Sequence, residues 1–437
     1  MNNSYKNILI SIVLALIGYF SGGLIFDEIQ ARLIAIVIFL IAMWTNEALP
    51  LGVVSLLPII LFPAFDILST NSTTLNYSKS IIFLFLGGFM LAIAVEKIGL
   101  HKVIATKLLN IFPSSPRGII FALAITSALL SSLLSNTTTA LLLMPIALFL
   151  TAIKKLKIRL VLAVAYGASI GGIITPIGTP PNLILMGFLA DNNLESLTFA
   201  TWMMKTIPLA TIMLIIVPYI LSLGLQGIKI DSNLEKSTSL TIEQKRLKNI
   251  LLLLVLTLFV NSFFKFSEAG ILLSFGLAML LPKIGFLQWD DTKKVPYEII
   301  FLFGAGFSIA SAFSSTGLAS EISQLLLTLT KLDPIILILI VASLITFTTE
   351  VTSNTALISI ALPIIFSLGV ASNIDINLIL MVATICASYA FMLPIATPPN
   401  AIAMSSKVIT IKDMASFGVL FNIIAILITT SIAILIW

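Results

Sequence analysis

Charge is what this chain has least of: only 10% of its 437 residues are Asp, Glu, Lys or Arg, against about 25% in an ordinary soluble domain. A single cysteine, Cys386, excludes a disulfide within the chain, and a single histidine, His101, leaves no His/Cys cluster for a metal. An intramembrane enzyme needs a nucleophile with its base, or a metal set, and these shortages leave little from which to build one. No enzyme is expected. What the chain has instead is apolar surface, with 59% hydrophobic residues and a mean hydropathy of +1.14. Stretches of the ~17–25 residues that cross a hydrocarbon core recur along its whole length, so a cleaved signal peptide does not account for them. The net charge of +5 does not point to nucleic acid, because the basic residues lie in short loops where they report topology.

Hydropathy predicts crossings near 7–25, 30–46, 50–65, 80–97, 160–189, 201–224, 247–264, 269–286, 296–314, 376–404 and 413–436. Two further apolar segments, 118–153 and 336–370, each carry a polar turn at mid-length, Ser135-Asn136-Thr137 and Ser353-Asn354-Thr355. Their arms are too short to cross fully, which predicts two re-entrant hairpins with tips buried in protein. Eleven crossings from a cytoplasmic N-terminus to an external C-terminus leave only Arg32, Lys79, Lys205, Lys265 and Lys331 outside, of the 24 basic residues. The expected location is a cell membrane such as a bacterial inner membrane.

Shifting the sequence by 218 residues superposes Phe83-Leu84-Phe85 on Phe301-Leu302-Phe303, and Gly99-Leu100 on Gly317-Leu318. The same shift brings Ser135-Asn136-Thr137 onto Ser353-Asn354-Thr355, and Thr179-Pro180-Pro181-Asn182 onto Thr397-Pro398-Pro399-Asn400. One gapless offset marks an internal repeat. The chain divides into a first helix (1–27), repeat one (28–225), a cytoplasmic linker (226–245) and repeat two (246–437). Each copy holds five crossings and a hairpin, and five is odd, so the second copy is inverted in the membrane. Segments 102–112 and 320–332 read as short interfacial helices, and Thr241 with Gln244 as a capping box.

Proline-rich breaks inside apolar helices free backbone groups that hydrocarbon cannot satisfy, so they persist around a cavity or ligand. Two hairpin tips and two breaks offer positive helix ends for a small anion, and carbonyl, Ser, Thr and Asn oxygens for a small hard cation. No Lys or Arg occurs in 131–140, 166–182, 349–356 or 384–400. Helix ends supply only about half a charge each, so co-bound cations are expected to balance a dianion, which couples the two ligands. A single polar triplet could serve helix packing alone; a triplet and a break repeated at one offset point to a site. Glu350, the one acid in these blocks, stands where the first copy has Ser132, and either a proton or cation role or a structural one fits it.

With these motifs the chain resembles the divalent anion/sodium symporter family, over residues from about 28 to the end. The resemblance implies an all-α elevator transporter working as a homodimer, importing a small di- or tricarboxylate with sodium, a C4-dicarboxylate such as succinate, malate or fumarate first. It implies a scaffold near 1–112 and 246–332 and a transport part near 113–225 and 333–437. One sodium falls to Ser131, Ser135, Asn136 and Gly178, and a second to Thr349, Thr352, Asn354 and Ala396. The substrate carboxylates fall to Asn136, Thr137, Thr179, Pro180, Asn354, Thr355, Thr397 and Pro398. A sodium-independent exchanger or a proton-coupled carrier is the main alternative, with citrate, tartrate and sulfate as further substrates. A passive channel fits inverted, broken helices less well.

Overall fold

The computed structural model describes residues 2–46, 48–195, 197–225, 239–264, 266–325 and 332–437. Among them every regular element is helical, as it must be where lipid offers backbone groups no partner. Among the described residues seven helices are long and apolar enough to cross a membrane by length and composition: Ser4–Gly22, Glu28–Thr45, Thr70–Ile98, Phe199–Ser222, Tyr297–Ser315, Asn354–Ser372 and Ile411–Ile436. Others are shorter or divided. The apolar run at 50–65 splits into Leu51–Leu56 and Pro58–Ala64, because Pro58 has no N–H to continue the ladder. The run at 269–286 stops at Ala278, where the chain turns so that Phe286 and Leu287 N–H both donate to the Met279 carbonyl at 2.8 Å. Most of the linker, 226–238, and the end of the 320–332 segment, 326–331, lie outside the described residues.

The hairpin turns fall at 132–135 and 350–353, a little ahead of the triplets, so that of each triplet only Ser135 or Ser353 lies in the turn and the Asn and Thr begin the next helix. Pro116–Ser131 and Asn136–Phe149 form one hairpin, and Pro334–Thr349 and Asn354–Ser372 the other. Ser115 and Asp333 cap the first arms by accepting from the Gly118 and Ile335 N–H groups, and a proline follows each cap, where its missing N–H costs nothing. The second arm of the second hairpin has 19 residues, longer than a half-crossing arm was expected to be. Thr241 and Gln244 form the capping box read from sequence, with reciprocal bonds of 3.1 and 3.2 Å.

The chain forms two compact units. Unit one comprises Met1–Phe83, Leu183–Ser196 and Pro296–Ala387. Its core packs Leu33, Leu40 and Met43 with Phe62, Ile309 and Phe313. Within it Lys79 pairs with Asp191 and lies 4.9 Å over the Phe307 ring.

Unit two comprises Leu84–Asn182, Leu197–Val295 and Ser388–Trp437. Here Lys154–Gly172 lies against the first hairpin through Gly167 and Gly171, where a Cβ would sit 2.5 and 2.2 Å from the Ala124 and Ala128 carbonyl oxygens. Only glycine permits so close an approach of two backbones. Tyr166 joins Phe391 and Phe421 edge-on at 5.1 and 5.5 Å and donates to the Met414 carbonyl at 3.1 Å.

Outside the membrane-spanning helices, Asp291 accepts from the Gln288 N–H at 2.7 Å and pairs with Lys97 at 2.6 Å. The Gln288 bond first, and then Lys97, hold its carboxyl below the usual range. A depressed pKa stabilises the fold above the ordinary carboxylate pKa, and the contribution fades as pH falls through the lower folded value. Asp291→Asn is therefore expected to lower the melting temperature by about 1 °C at pH 7. Differential scanning fluorimetry should find that difference shrinking as pH falls below the ordinary carboxylate pKa.

Candidate functional site

The motifs coincide with helix starts. Asn136 and Asn354 are the first residues of their helices, and Pro180 and Pro398 the first of theirs. Each motif thus sets a short polar cap ahead of a helix N-terminus, which carries about half a positive charge. Three of these starts, at 136, 180 and 398, belong to unit two, and the one at 354 to unit one. The Pro398–Ser405 helix packs against both Asn136–Phe149 and Lys154–Gly172.

In unit two the first hairpin tip meets the first break at Gly172. A Cβ there would lie 3.1 Å from Asn136 Oδ1 and 3.2 Å from Thr179 Cβ, so the glycine leaves room where these side chains converge. Ser131, fully buried, donates its hydroxyl proton to Asn136 Oδ1 at 2.5 Å. Ser135 caps the second arm, accepting from the Thr138 N–H at 3.1 Å and donating to Thr138 Oγ1 at 2.8 Å. Thr175 donates to the Ser132 carbonyl, tying break to tip. Asn136 and Thr137 are half-buried, while Gly178 and Thr179 are buried. In the second break Ala396 and Thr397 are buried and Pro398 exposed; Thr397 accepts from the Asn400 N–H at 3.4 Å.

The second tip, in unit one, repeats the first. Thr349 donates to Asn354 Oδ1 at 2.8 Å and also reaches the Ala387 carbonyl at 2.9 Å. Thr352 donates to the Thr348 carbonyl at 2.9 Å, and Thr355 is buried in the following turn. Glu350, 2% exposed, closes the first arm of this hairpin. The structure therefore gathers Ser131, Ser135, Asn136, Thr137, Gly178 and Thr179 in one unit, and Thr349, Thr352, Asn354 and Thr355 in the other.

Sequence reasoning missed the residues that hold the breaks open. In the first break, Asn182 Nδ2 donates to the Gly172 and Thr175 carbonyls, both at 2.9 Å. Trp202 Nε1 donates to the Ile173 carbonyl at 2.9 Å, and Thr206 to the Ile174 carbonyl at 3.1 Å. Four successive carbonyls freed by the break thus accept from side chains, as a backbone buried away from water requires. In the second break Asn400 Nδ2 donates to the Ala390 and Leu393 carbonyls at 2.8 and 3.0 Å. The only sequence signal for these bonds is the recurrence of the last asparagine of each Thr-Pro-Pro-Asn.

Apolar helices long enough to cross a bilayer, with buried polar breaks among them, are the build of a multi-pass membrane protein. The sequence model of the citrate transporter family matches residues 35–386, and the chain belongs to this family of transporters. It is 32% identical to the sodium-dependent dicarboxylate transporter SdcS of Staphylococcus saprophyticus over 435 residues, covering 90% of this chain and 84% of that one. The same protein of Staphylococcus aureus matches to the same degree, so the resemblance to divalent anion/sodium symporters stands. Two solved transporters share the fold at TM-score 0.62. They are MtrF of Neisseria gonorrhoeae, from a class of antimetabolite efflux pumps, at 12% identity over 83% of this chain and 82% of that one, and YdaH of Alcanivorax borkumensis, at 14% over 93% and 98%.

Proposed function

We propose that this protein imports a small dicarboxylate, such as succinate, malate or fumarate, together with sodium. The observation that carries the reading is the set of uncharged polar caps at helix starts 136, 180, 354 and 398, with no Lys or Arg in any of the four motif segments. A dianion there has helix ends and neutral donors to meet it and needs cations to balance it. The names of the relatives, sodium-dependent dicarboxylate transporters, support the same reading.

In this reading Ser131, Ser135, Asn136 and Gly178 hold one sodium, and Thr349, Thr352, Asn354 and Ala396 the other. Asn136, Thr137, Thr179, Pro180, Asn354, Thr355, Thr397 and Pro398 meet the carboxylates. Eleven crossings and two re-entrant hairpins make two inverted repeats, with a scaffold near 1–112 and 246–332 and a transport part near 113–225 and 333–437. The transport part moves as an elevator within a homodimer whose N-termini are cytoplasmic. Helix starts at Leu100 and Leu318, Pro116 and Pro334, Asn136 and Asn354, and Pro180 and Pro398 all recur at the spacing of the sequence repeat, which supports that plan.

The test is uptake of labelled succinate into proteoliposomes. An inward sodium gradient is expected to raise the initial rate well above that without sodium, and equal rates in the two conditions would sink the symport reading. The buried Glu350 favours a second reading, proton coupling, which a proton gradient imposed without sodium would reveal as uptake.

A further inference from the structure

We infer that Asn182 and Asn400 are paired positioning residues: each staples shut the loop that presents a cation carbonyl and a substrate-binding Thr-Pro pair. The inference rests on the proposed sodium-coupled transport for what the loops present, but the staple itself is read from geometry.

Asn182 donates to the carbonyls ten and seven residues before it, Gly172 and Thr175. Asn400 does the same to Ala390 and Leu393, also ten and seven residues before it. The amide orientation is forced, because both partners are carbonyl oxygens that can only accept, so the nitrogen must face them. The opposite oxygen of each amide is buried with no hydrogen-bond partner among the described residues, and both side chains are fully buried. Leaving a buried acceptor unpaired is unfavourable. The arrangement tolerates this twice, at equivalent places, so donation to the two carbonyls is the dominant demand on each amide.

The bonds seven residues back close loops 175–182 and 393–400. The first contains Gly178, Thr179 and Pro180, and the second Ala396, Thr397 and Pro398. Three prolines in each loop leave few backbone donors to fix its shape internally. Without the staple the loop samples other conformations, and ligand affinity falls by the fraction of time spent in the competent one.

Asn182→Ala and Asn400→Ala are tested in the full-length protein reconstituted in liposomes with labelled succinate. Loss of two hydrogen bonds is expected to raise the sodium concentration for half-activation about tenfold. At saturating sodium the maximal rate should stay within about twofold of wild type, because sodium repopulates the closed loop. A general folding defect would instead lower the rate at every sodium concentration. Unchanged half-activation, or a loss that saturating sodium does not restore, overturns the inference. Wild-type uptake indifferent to sodium would refute symport alone; the staple is then read from a tenfold rise in the succinate half-saturation, and an unchanged value overturns it.

Should the alanine variants fail to fold, Asn182→Asp and Asn400→Asp carry the test. A protonated acid donates one of the two bonds, whereas a carboxylate faces both carbonyls with negative charge. Uptake relative to wild type should therefore rise several-fold between pH 8 and pH 6, and a flat ratio overturns the inference.

Discussion

Asn354→Ala is expected to reduce sodium-driven succinate uptake at least about a hundredfold, with folded protein recovered in normal yield. Hydrogen bonds to charged partners contribute about 1.5–3 kcal/mol each, and in the proposed site this amide meets both a cation and a carboxylate. Losing both contacts accounts for the factor. The fold should survive because the one side-chain donor now on Asn354 Oδ1, the Thr349 hydroxyl, also reaches the Ala387 carbonyl at 2.9 Å. Among the described residues no buried donor is orphaned. Asn354 lies at an exposed-to-buried transition rather than in the core, so little packing is lost. Uptake rates in proteoliposomes and the elution profile in detergent measure the two halves of the prediction, and normal sodium-dependent uptake by the variant would refute the site.

Gly171→Leu should act through the fold instead. Its Cβ would sit 2.2 Å from the Ala128 carbonyl oxygen, 2.5 Å from Ala128 Cα and 2.7 Å from its carbonyl carbon. All three are backbone atoms, which cannot rotate aside, so the first hairpin must move away from Lys154–Gly172. Overpacking of ordinary cores costs about 1–3 kcal/mol, and a clash of two backbones lies at or beyond the upper end. A fall in melting temperature of roughly 10 °C or loss of monodisperse protein is expected, with uptake at background. Gly88→Ala is the control, since a Cβ there meets only Ile177 carbons at 3.9 and 4.0 Å. It should melt within about 2 °C of wild type. A stable, active Gly171→Leu would show that the two helices do not need this approach.

What the sequence made legible follows from how strongly each feature departs from an apolar background. A Ser-Asn-Thr inside an apolar run has to be a turn or a buried polar site, and it falls where each hairpin turn ends: Ser135 and Ser353 close the turns, and the Asn and Thr open the next helix. Crossing lengths were less legible. Pro58 and the turn onto the Met279 carbonyl shorten two helices that hydropathy alone reads as continuous. Hydropathy sums transfer free energies and is blind to a missing N–H. The clamps of the breaks were hidden for another reason. Asn182, Asn400, Trp202 and Thr206 bond to main-chain carbonyls, and every residue has a carbonyl, so the partner leaves no mark in the sequence. Proximity set by the fold selects which carbonyl is taken.

The hydroxyls at the two tips have a further consequence. A hydroxyl has one proton to donate, and Ser131 and Thr349 each lie where theirs can reach the amide oxygen of Asn136 and Asn354. In the proposed sites a cation taking that oxygen approaches the protein's own proton, and a turn of the hydroxyl about its C–O bond relieves the repulsion. Thr349 has the Ala387 carbonyl ready to receive the proton after the turn, whereas among the described residues Ser131 reaches Asn136 alone. In the proposed sites the two tips therefore give up that proton contact at unequal cost, and sodium is expected to fill the second tip before the first.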